Sequence, residues 1–437
     1  MPHSHRLTHY LVTDLAAITR GRGVWDVRDG PLKSGVGWVP VNQIISPFDT
    51  IAPSNPWGSH GDCRLRTDAS TLVDLALPAG PDLRFALCDI SDLDGADLDI
   101  CARGFARRMI EALEGEGLRI LSSFEQEFWL DMPGAGAATP GFSYQRAIRN
   151  EPFGATLMAL LQQAGCAPEM LLAEFAADQF EMTMEPSFGI TAADRAVVSR
   201  EIVRAAVHHA GGAASFCPLR VAGGVGSGVH IHLSLWDRDG KPLLHDPDGV
   251  GGLSVLGQAF CAGIVRHMPA LVALTASSVV SYERLQPHRW SSAYTCMGDR
   301  NREATLRICP VVGGGSTPID RQFNVEYRAA DATANPYLVL GGLIAAGLDG
   351  IRTGAMAPPL MNIDPSGLSG ALLAERGIER LPQSLGEALD RLEADPVICA
   401  ALGQPLVDAF LLAKRHEIEV CDGLDTDAVC QRYAAIY

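Results

Sequence analysis

His230-Ile-His-Leu-Ser234 alternates polar and apolar residues, and its polar positions carry two imidazoles and a hydroxyl rather than ordinary surface residues. Strand side chains point to opposite faces with a period of two. The stretch therefore predicts a strand with His230, His232 and Ser234 on one face and Ile231 and Leu233 on the other. Three more stretches repeat the pattern: Glu125-Gln-Glu127, Gln179-Phe-Glu-Met-Thr183 and Asn324-Val-Glu-Tyr-Arg328. The bland explanation is an antiparallel sheet with one solvated face. A solvated face favours Lys, Thr and Ser, however, and none of the four stretches contains Lys. Hard divalent cations and phosphates need clustered carboxylates with a few imidazoles and arginines, so the set predicts a metal and nucleotide site on one face of a sheet.

The rest of the chain frames that site. Its 437 residues, 47% of them hydrophobic, can bury a large core, and the length suggests two or three domains. A net charge of -16 argues against nucleic acid as a partner, because phosphate backbones need a basic footprint. Eleven cysteines without CxxC pairing read as reduced thiols buried as small hydrophobes. Met1 to Gly23 lacks the apolar run of a signal peptide. The longest apolar stretch, Leu338 to Leu348, falls well short of the ~20 residues that span a bilayer and reads as a buried helix. The expectation is a cytoplasmic protein with neither a membrane nor a nucleic-acid partner.

Organisation changes near residue 100. Before it come short strand-like runs such as Gly35 to Val41 and Thr71 to Leu77, divided by Pro, Gly and Asn turns. After it, Ile100 to Glu114 is helical, Leu118 to Leu130 is a strand, and Leu157 to Gly165 and Ile190 to Ala210 are amphipathic helices, the second with Thr191, Asp194 and Glu201 on its polar positions. Pro133 to Gly141 reads as a surface loop. Beyond Pro336 the chain is mostly helical, with Ser384-Leu-Gly-Glu387 as a capping-box start. The fold class is therefore α+β. The glycine cluster Gly223 to Gly228 leads into a strand rather than a helix, which excludes a dinucleotide-binding fingerprint.

Gly226-Ser-Gly-Val-His-Ile-His-Leu-Ser234, Asn301-Arg-Glu-Ala-Thr-Leu-Arg307, Asn335-Pro-Tyr337 and the Glu-x-Glu at 125 and 127 resemble the glutamine synthetase family, collinearly over most of the chain. Thr13-Asp14 and Arg20-Gly-Arg22 are similar to that family's opening strand. The resemblance implies a β-grasp domain over residues 1–103 and a catalytic domain over 104–437, with a curved antiparallel sheet surrounded by helices. It also implies a homo-oligomer of hexameric rings, single or stacked as a dodecamer, with active sites shared between subunits. Two Mg²⁺ or Mn²⁺ ions are implied, one held by Glu127, Glu174 and Glu181, the other by Glu125, His230 and Glu326. His232, Ser234, Arg302 and Arg307 would face ATP, and Arg284 and Arg328 would bind L-glutamate and the transferred phosphoryl group beside the Gly226 backbone. The implied reaction phosphorylates the γ-carboxylate of glutamate and lets a nitrogen nucleophile displace phosphate.

Departures from the family pattern refine the expectation. After Arg284 the family reads Leu-x-Pro-Gly-x-Glu-Ala-Pro, and its Glu helps to bind and deprotonate ammonium. Here Leu285-Gln-Pro-His-Arg-Trp-Ser-Ser292 places Trp290 at that position. An indole offers a wall or a cation-π face to an organic amine. The chain thus most resembles the γ-glutamyl-amine synthetases of the family, of γ-glutamylpolyamine or γ-glutamylputrescine type, which would couple glutamate to a primary amine. Glutamine synthetase proper and a non-catalytic relative are the alternatives. Asp49 is the candidate base for the nucleophile. The family's Pro-Gly between Glu174 and Glu181 is Ala177-Asp178, the Asn before Gly226 is Val225, and Glu379 stands near the family's adenylylated tyrosine.

Overall fold

The computed structural model describes residues 6–26, 35–58, 60–78, 80, 82–133, 139–289 and 291–437. Trp290 and the middle of the Pro133 to Gly141 loop lie outside the described residues.

Two sheets carry the fold. The first contains β1 (Arg6–Thr13), β2 (Thr19–Asp26), β3 (Val36–Trp38), β4 (Cys63–Thr67), β5 (Val73–Leu75) and β6 (Leu83–Ser91). Their order is β2-β1-β6-β4-β3 with β5 also on β6, and β1 runs parallel to β6. Asp14 closes the opening hairpin: its carboxylate accepts from the Ala16 and Ile18 N–H groups at 2.9 Å and from Arg20 Nε at 2.5 Å. The run from Gly35 to Val41 yields only three strand residues, because Pro40 has no N–H for a ladder and opens a 3-10 turn over Pro40–Ile44.

The second sheet contains β7 (Leu118–Asp131), β8 (Pro168–Ala173), β9 (Gln179–Met184), β10 (Ser187–Phe188), β11 (Ala213–Ser215), β12 (Val229–Asp237), β13 (Met297–Asp299), β14 (Leu306–Ile308) and β15 (Val325–Ala330). Its order is β13-β14-β15-β12-β7-β9-β8, with β10 and β11 added to β7. Pairing is antiparallel apart from β13 with β14. The four alternating stretches become β7, β9, β12 and β15, adjacent strands of this sheet.

One face of the sheet is apolar. Phe124, Phe128, Phe180, Met182, Ile231, Leu233, Val325 and Tyr327 are buried there, each contributing roughly 1.5–3 kcal/mol on leaving water. Gln126 is polar on that face, and its amide donates to Ser199 Oγ at 2.8 Å and to the Ala196 carbonyl at 3.2 Å. The helices α1 (Ala102–Gly115), α2 (Tyr144–Arg149), α3 (Phe153–Gln163), α4 (Thr191–His209), α5 (Val255–Thr275), α6 (Ser281–Arg284), α7 (Ile319–Gln322) and α8 (Pro336–Thr353) follow in chain order. Of these, α1 and α4 pack on β7 and α5 packs on β15. The C-terminal part adds α9 (Gly370–Glu375), α10 (Leu385–Glu393), α11 (Pro396–Leu402), α12 (Gln404–Cys421) and α13 (Thr426–Ala434).

The expected buried helix from Leu338 to Leu348 lies in α8. Its glycines let helices approach closely: a Cβ on Gly347 would sit 2.1 Å from the Phe260 ring of α5. By length and composition α5 could cross a membrane on its own, yet here it packs against α8 and α10 within the core. All eleven cysteines are free, and all but the half-buried Cys399 are buried. Ser384 caps α10 as its spacing predicts, accepting from the Glu387 N–H at 3.1 Å.

Arg103 on α1 ties the two sheets together. Its guanidinium donates to Asp89 on β6 at 3.0 Å, to Asp68 at 2.8 Å and, by two bonds, to Asp194 on α4. Asp194, a polar helix position by periodicity, is thus buried in an ion network rather than solvated.

Candidate active site

Register alone assembles the polar face of the second sheet. Glu127 on β7 stands opposite Glu181 on β9, Glu125 opposite His230 on β12, and His232 opposite Glu326 on β15, which in turn faces Arg307 on β14. Directly opposite residues in an antiparallel pair have Cβ atoms about 4.5–5.5 Å apart, so these side chains must interact. His230 Nδ1 lies 3.2 Å from Glu125 Oε2 and 3.3 Å from Glu326 Oε1, and His232 Nε2 lies 3.3 Å from Glu125 Oε1. Arg307 donates to Glu326 Oε2 at 2.7 Å, and Arg328 donates to Glu326 Oε1.

These residues line one cavity of about 430 Å³. Glu125, Glu127, Glu174, Glu181, His230, His232, Glu326, Arg302, Arg307, Arg328 and Gly226 all reach it. A second cavity of about 400 Å³ adjoins, sharing Glu125 and His232 and adding Ser234 with apolar walls from Leu121, Met184, Pro186 and Phe323. Arg284 stands behind the first cavity, fully buried, donating to the Ala330 carbonyl at 2.6 Å. Gly226 must be glycine there, because a Cβ would lie 2.4 Å from Arg284 Cγ. Asp49 is not brought to this cavity: its side chain is 85% exposed on the first sheet's side, with Arg20 Nη1 at 3.6 Å.

The ligand atoms gather differently from the two expected sets. One triad is Glu125, Glu181 and His230, the other Glu125, His232 and Glu326, each within 4.8 Å, so Glu125 belongs to both. Glu127 and Glu174 line the cavity but are in neither triad. Glu127 Oε2 instead accepts from the Gly228 N–H at 2.9 Å and from Gln179 Nε2 at 3.0 Å, and that same amide donates to the Gly226 carbonyl at 2.9 Å.

Electrostatics distinguish the groups. Burial first, then the charges of Glu125, Glu127, Glu174 and Glu326, push the Glu181 carboxyl up to about 9. Burial pushes Glu127 up to about 7, opposed by the Gly228 N–H and reinforced by Glu174. Burial would also raise Glu125 and Glu326, but the neighbouring imidazoles, with Arg328 and Arg307 for Glu326, hold both well below the usual range, Glu326 at about 2. His230 is held below its ordinary value by burial and by the Arg328 charge, opposed by Glu125 and Glu326. His232 is held well above it: burial opposes the charge, but Cys309 and Glu125 outweigh burial.

This donor set fits a divalent cation. Burial and the repulsion of its neighbouring carboxylates keep Glu181 protonated, and His230 Nε2 is buried with no hydrogen-bond partner. A hard cation among these oxygens would relieve the first and satisfy the second. Carboxylates with one imidazole suit Mg²⁺ or Mn²⁺ better than zinc.

A family model for the glutamine synthetase catalytic domain matches residues 99–433, and one for the glutamine synthetase N-terminal domain matches residues 2–98. The chain belongs to the glutamine synthetase family. Members of this family use ATP and divalent metal ions. A gamma-glutamylpolyamine synthetase of Streptomyces coelicolor is 36% identical over 408 residues, covering 91% of this chain and 86% of the relative. A glutamine synthetase of Thermococcus kodakarensis is 34% identical over 312 residues, covering 69% and 67%. A crystal structure described as a novel glutamine synthase homolog superposes with a TM-score of 0.90 at 42% identity over 99% of each chain. A GmaS/ADP complex gives 0.81 at 26% identity over 98% of this chain and 96% of that one.

Gln179, Asn324 and Cys309 complete this glutamine synthetase-type site without having been singled out. Asn324 Oδ1 lies 2.8 Å from His232 Nδ1, and Cys309 Sγ lies 3.7 Å from the same nitrogen. Gln179 and Asn324 occupy polar positions of alternating stretches, so the period of two carried a signal for them. No pattern pointed to Cys309.

Proposed function

We propose that this protein is an ATP-dependent ligase that joins the γ-carboxylate of L-glutamate to a primary amine. The observation that carries the reading is a pair of adjoining cavities, one polar and rich in carboxylates and arginines, the other with apolar walls, meeting at Glu125 and His232. ATP would lie in the apolar-walled cavity beside Ser234, with its phosphates toward protonated His232, Arg302 and Arg307. Glu125, Glu127, Glu174, Glu181, His230 and Glu326 would hold two Mg²⁺ or Mn²⁺ ions. Bound there, the cations would supply charge neutralisation at the phosphoryl oxygens.

Arg284 and Arg328 would orient glutamate and neutralise its carboxylates. Arg328 is pre-set for this by Glu326 and by the Arg302 carbonyl, which its Nε reaches at 3.2 Å. The terminal phosphoryl group of ATP passes to the γ-carboxylate, giving an acyl phosphate and ADP. The amine nitrogen then attacks the acyl carbon. The C–O bond to phosphate breaks, inorganic phosphate leaves, and the nitrogen loses a proton. Asp49 would accept that proton from a neighbouring subunit of a ring-shaped homo-oligomer, in the cytoplasm, with the β-grasp domain ending at residue 103. Trp290 would stand beside the amine.

The test is phosphate release by the purified protein with ATP, Mg²⁺ and L-glutamate, comparing ammonium with a panel of primary amines. Turnover with amines and little with ammonium is the expected result. Turnover mainly with ammonium would make this a glutamine synthetase proper, and silence across the panel would leave a non-catalytic family member.

A further inference from the structure

The polar cavity also has apolar and aromatic lining. Phe142, Phe175, Met170, Leu172 and Val225 line it alongside the charged groups. Phe142 is 56% exposed and Phe175 49%, with ring centroids 6.3 Å apart and planes tilted by 42°. Two large aromatic side chains together at the mouth of a charged cavity mark a place where something apolar is bound.

The pair is held in place by a dedicated device. Phe142 precedes α2, and Phe175 follows Glu174 after β8, so the two rings come from separate segments. Arg146 on α2 is buried and joins them. Its guanidinium donates to the carbonyls of Glu174, at 2.5 Å, and of Ala176 on one segment, and to Thr139, backbone and Oγ1, on the other. Gly141 sits directly on the Phe175 backbone, where a Cβ would fall 2.8 Å from its carbonyl oxygen. Phe142 itself has a φ of 56°, a left-handed conformation that costs a bulky residue energy and persists only where the surroundings impose it. A buried arginine and a strained aromatic residue are thus committed to presenting two rings beside Glu174.

We propose that Phe142 and Phe175 form the subsite for the carbon skeleton of the amine, and that the amine is a primary monoamine with an apolar chain or ring. This rests on the ligase reading above. The attacking nitrogen would lie as the free amine next to Glu174, with its chain laid outward across the two rings. The carboxylates that line this cavity, Glu125, Glu127, Glu174, Glu181 and Glu326, are assigned above to the metal ions and the reacting end, and Phe142, Phe175, Leu172 and Val225 offer a second ammonium group no carboxylate. Arg146 is a positioning residue, acting through the two segments it joins.

The experiment measures steady-state phosphate release by the full chain with ATP, Mg²⁺ and L-glutamate, using methylamine, n-butylamine and 1,4-diaminobutane. The intact protein should prefer n-butylamine to both others. Removing an apolar wall costs about tenfold or more in discrimination, so Phe142→Ala and Phe175→Ala should each lower the n-butylamine to methylamine ratio of kcat/KM by that factor. The loss should appear in the amine KM while the ATP KM stays within about twofold, and Phe142→Tyr should restore the ratio. Preference for 1,4-diaminobutane overturns the monoamine assignment, and a ratio that moves in neither variant overturns the subsite. Turnover with ammonium alone overturns the amine-ligase reading itself, and the subsite with it.

Discussion

Glu181→Gln separates the electrostatics of the site from its packing. Glu181 lies opposite Glu127 across the β7–β9 ladder and is pushed from an ordinary value of 4.5 to about 9 by burial and four neighbouring carboxylates. The folded-state value is the raised one, so between these limits the folded protein holds a proton that the unfolded chain has released. The stability attached to this group is complete below 4.5 and is lost as pH rises toward 9. Keeping Glu181 as the acid at pH 7 costs about 3 kcal/mol, at about 1.36 kcal/mol per pH unit. Glutamine carries the neutral form at every pH with nearly the same shape. Without divalent cations, the variant should therefore melt above the unmodified protein at pH 8 and show a flatter melting profile from pH 5 to pH 9. Mg²⁺ should raise the melting temperature of the unmodified protein, more at pH 8 than at pH 6, because binding must displace these protons. In Glu181→Gln most of that rise should vanish. Differential scanning fluorimetry in EDTA and in excess Mg²⁺ across this pH range makes the test. Equal melting of both proteins in EDTA at pH 8, with an undiminished Mg²⁺ response in the variant, would refute both the repulsion and the ligand role.

Glu127→Ala should abolish phosphate release while leaving the far-UV circular dichroism unchanged, since it removes a cavity carboxylate rather than a core residue; activity like that of the unmodified protein would exclude Glu127 from the metal site. Trp290→Glu should raise turnover with ammonium relative to alkyl amines in the same assay, and an unmoved ratio would place Trp290 outside the nucleophile pocket. Asp178 occupies a left-handed conformation, φ 57°, where the family has glycine. Asp178→Gly should stabilise the protein by at most about 1 kcal/mol, the relief of a left-handed L-residue less the entropy cost of glycine. A lower melting temperature for that variant would show that the aspartate side chain contributes more than its backbone costs.

Local chemistry made much of this protein legible in its sequence. Alternation with a period of two placed His230, His232, Glu125, Glu127, Glu181, Glu326 and Arg328 on strand faces, because the pleat of a strand allows no other reading. The order of strand-like and helical runs carried the fold class, and the family motifs carried the candidate ligands. The grouping of those ligands came only from tertiary structure. Glu125 serves both triads because β7 lies between β9 and β12, and strand order and register depend on pairings between segments far apart in the chain. The same is true of the protonation states. Glu181 is an acid and Glu326 a carboxylate although both are glutamates at polar strand positions, since burial and neighbouring charge act through space. Arg146, an unremarked helix residue in sequence, gains its role by reaching carbonyls on two loops at once. Strand faces follow from neighbours along the chain, whereas ligand grouping, pKa values and the aromatic rim follow from neighbours across it.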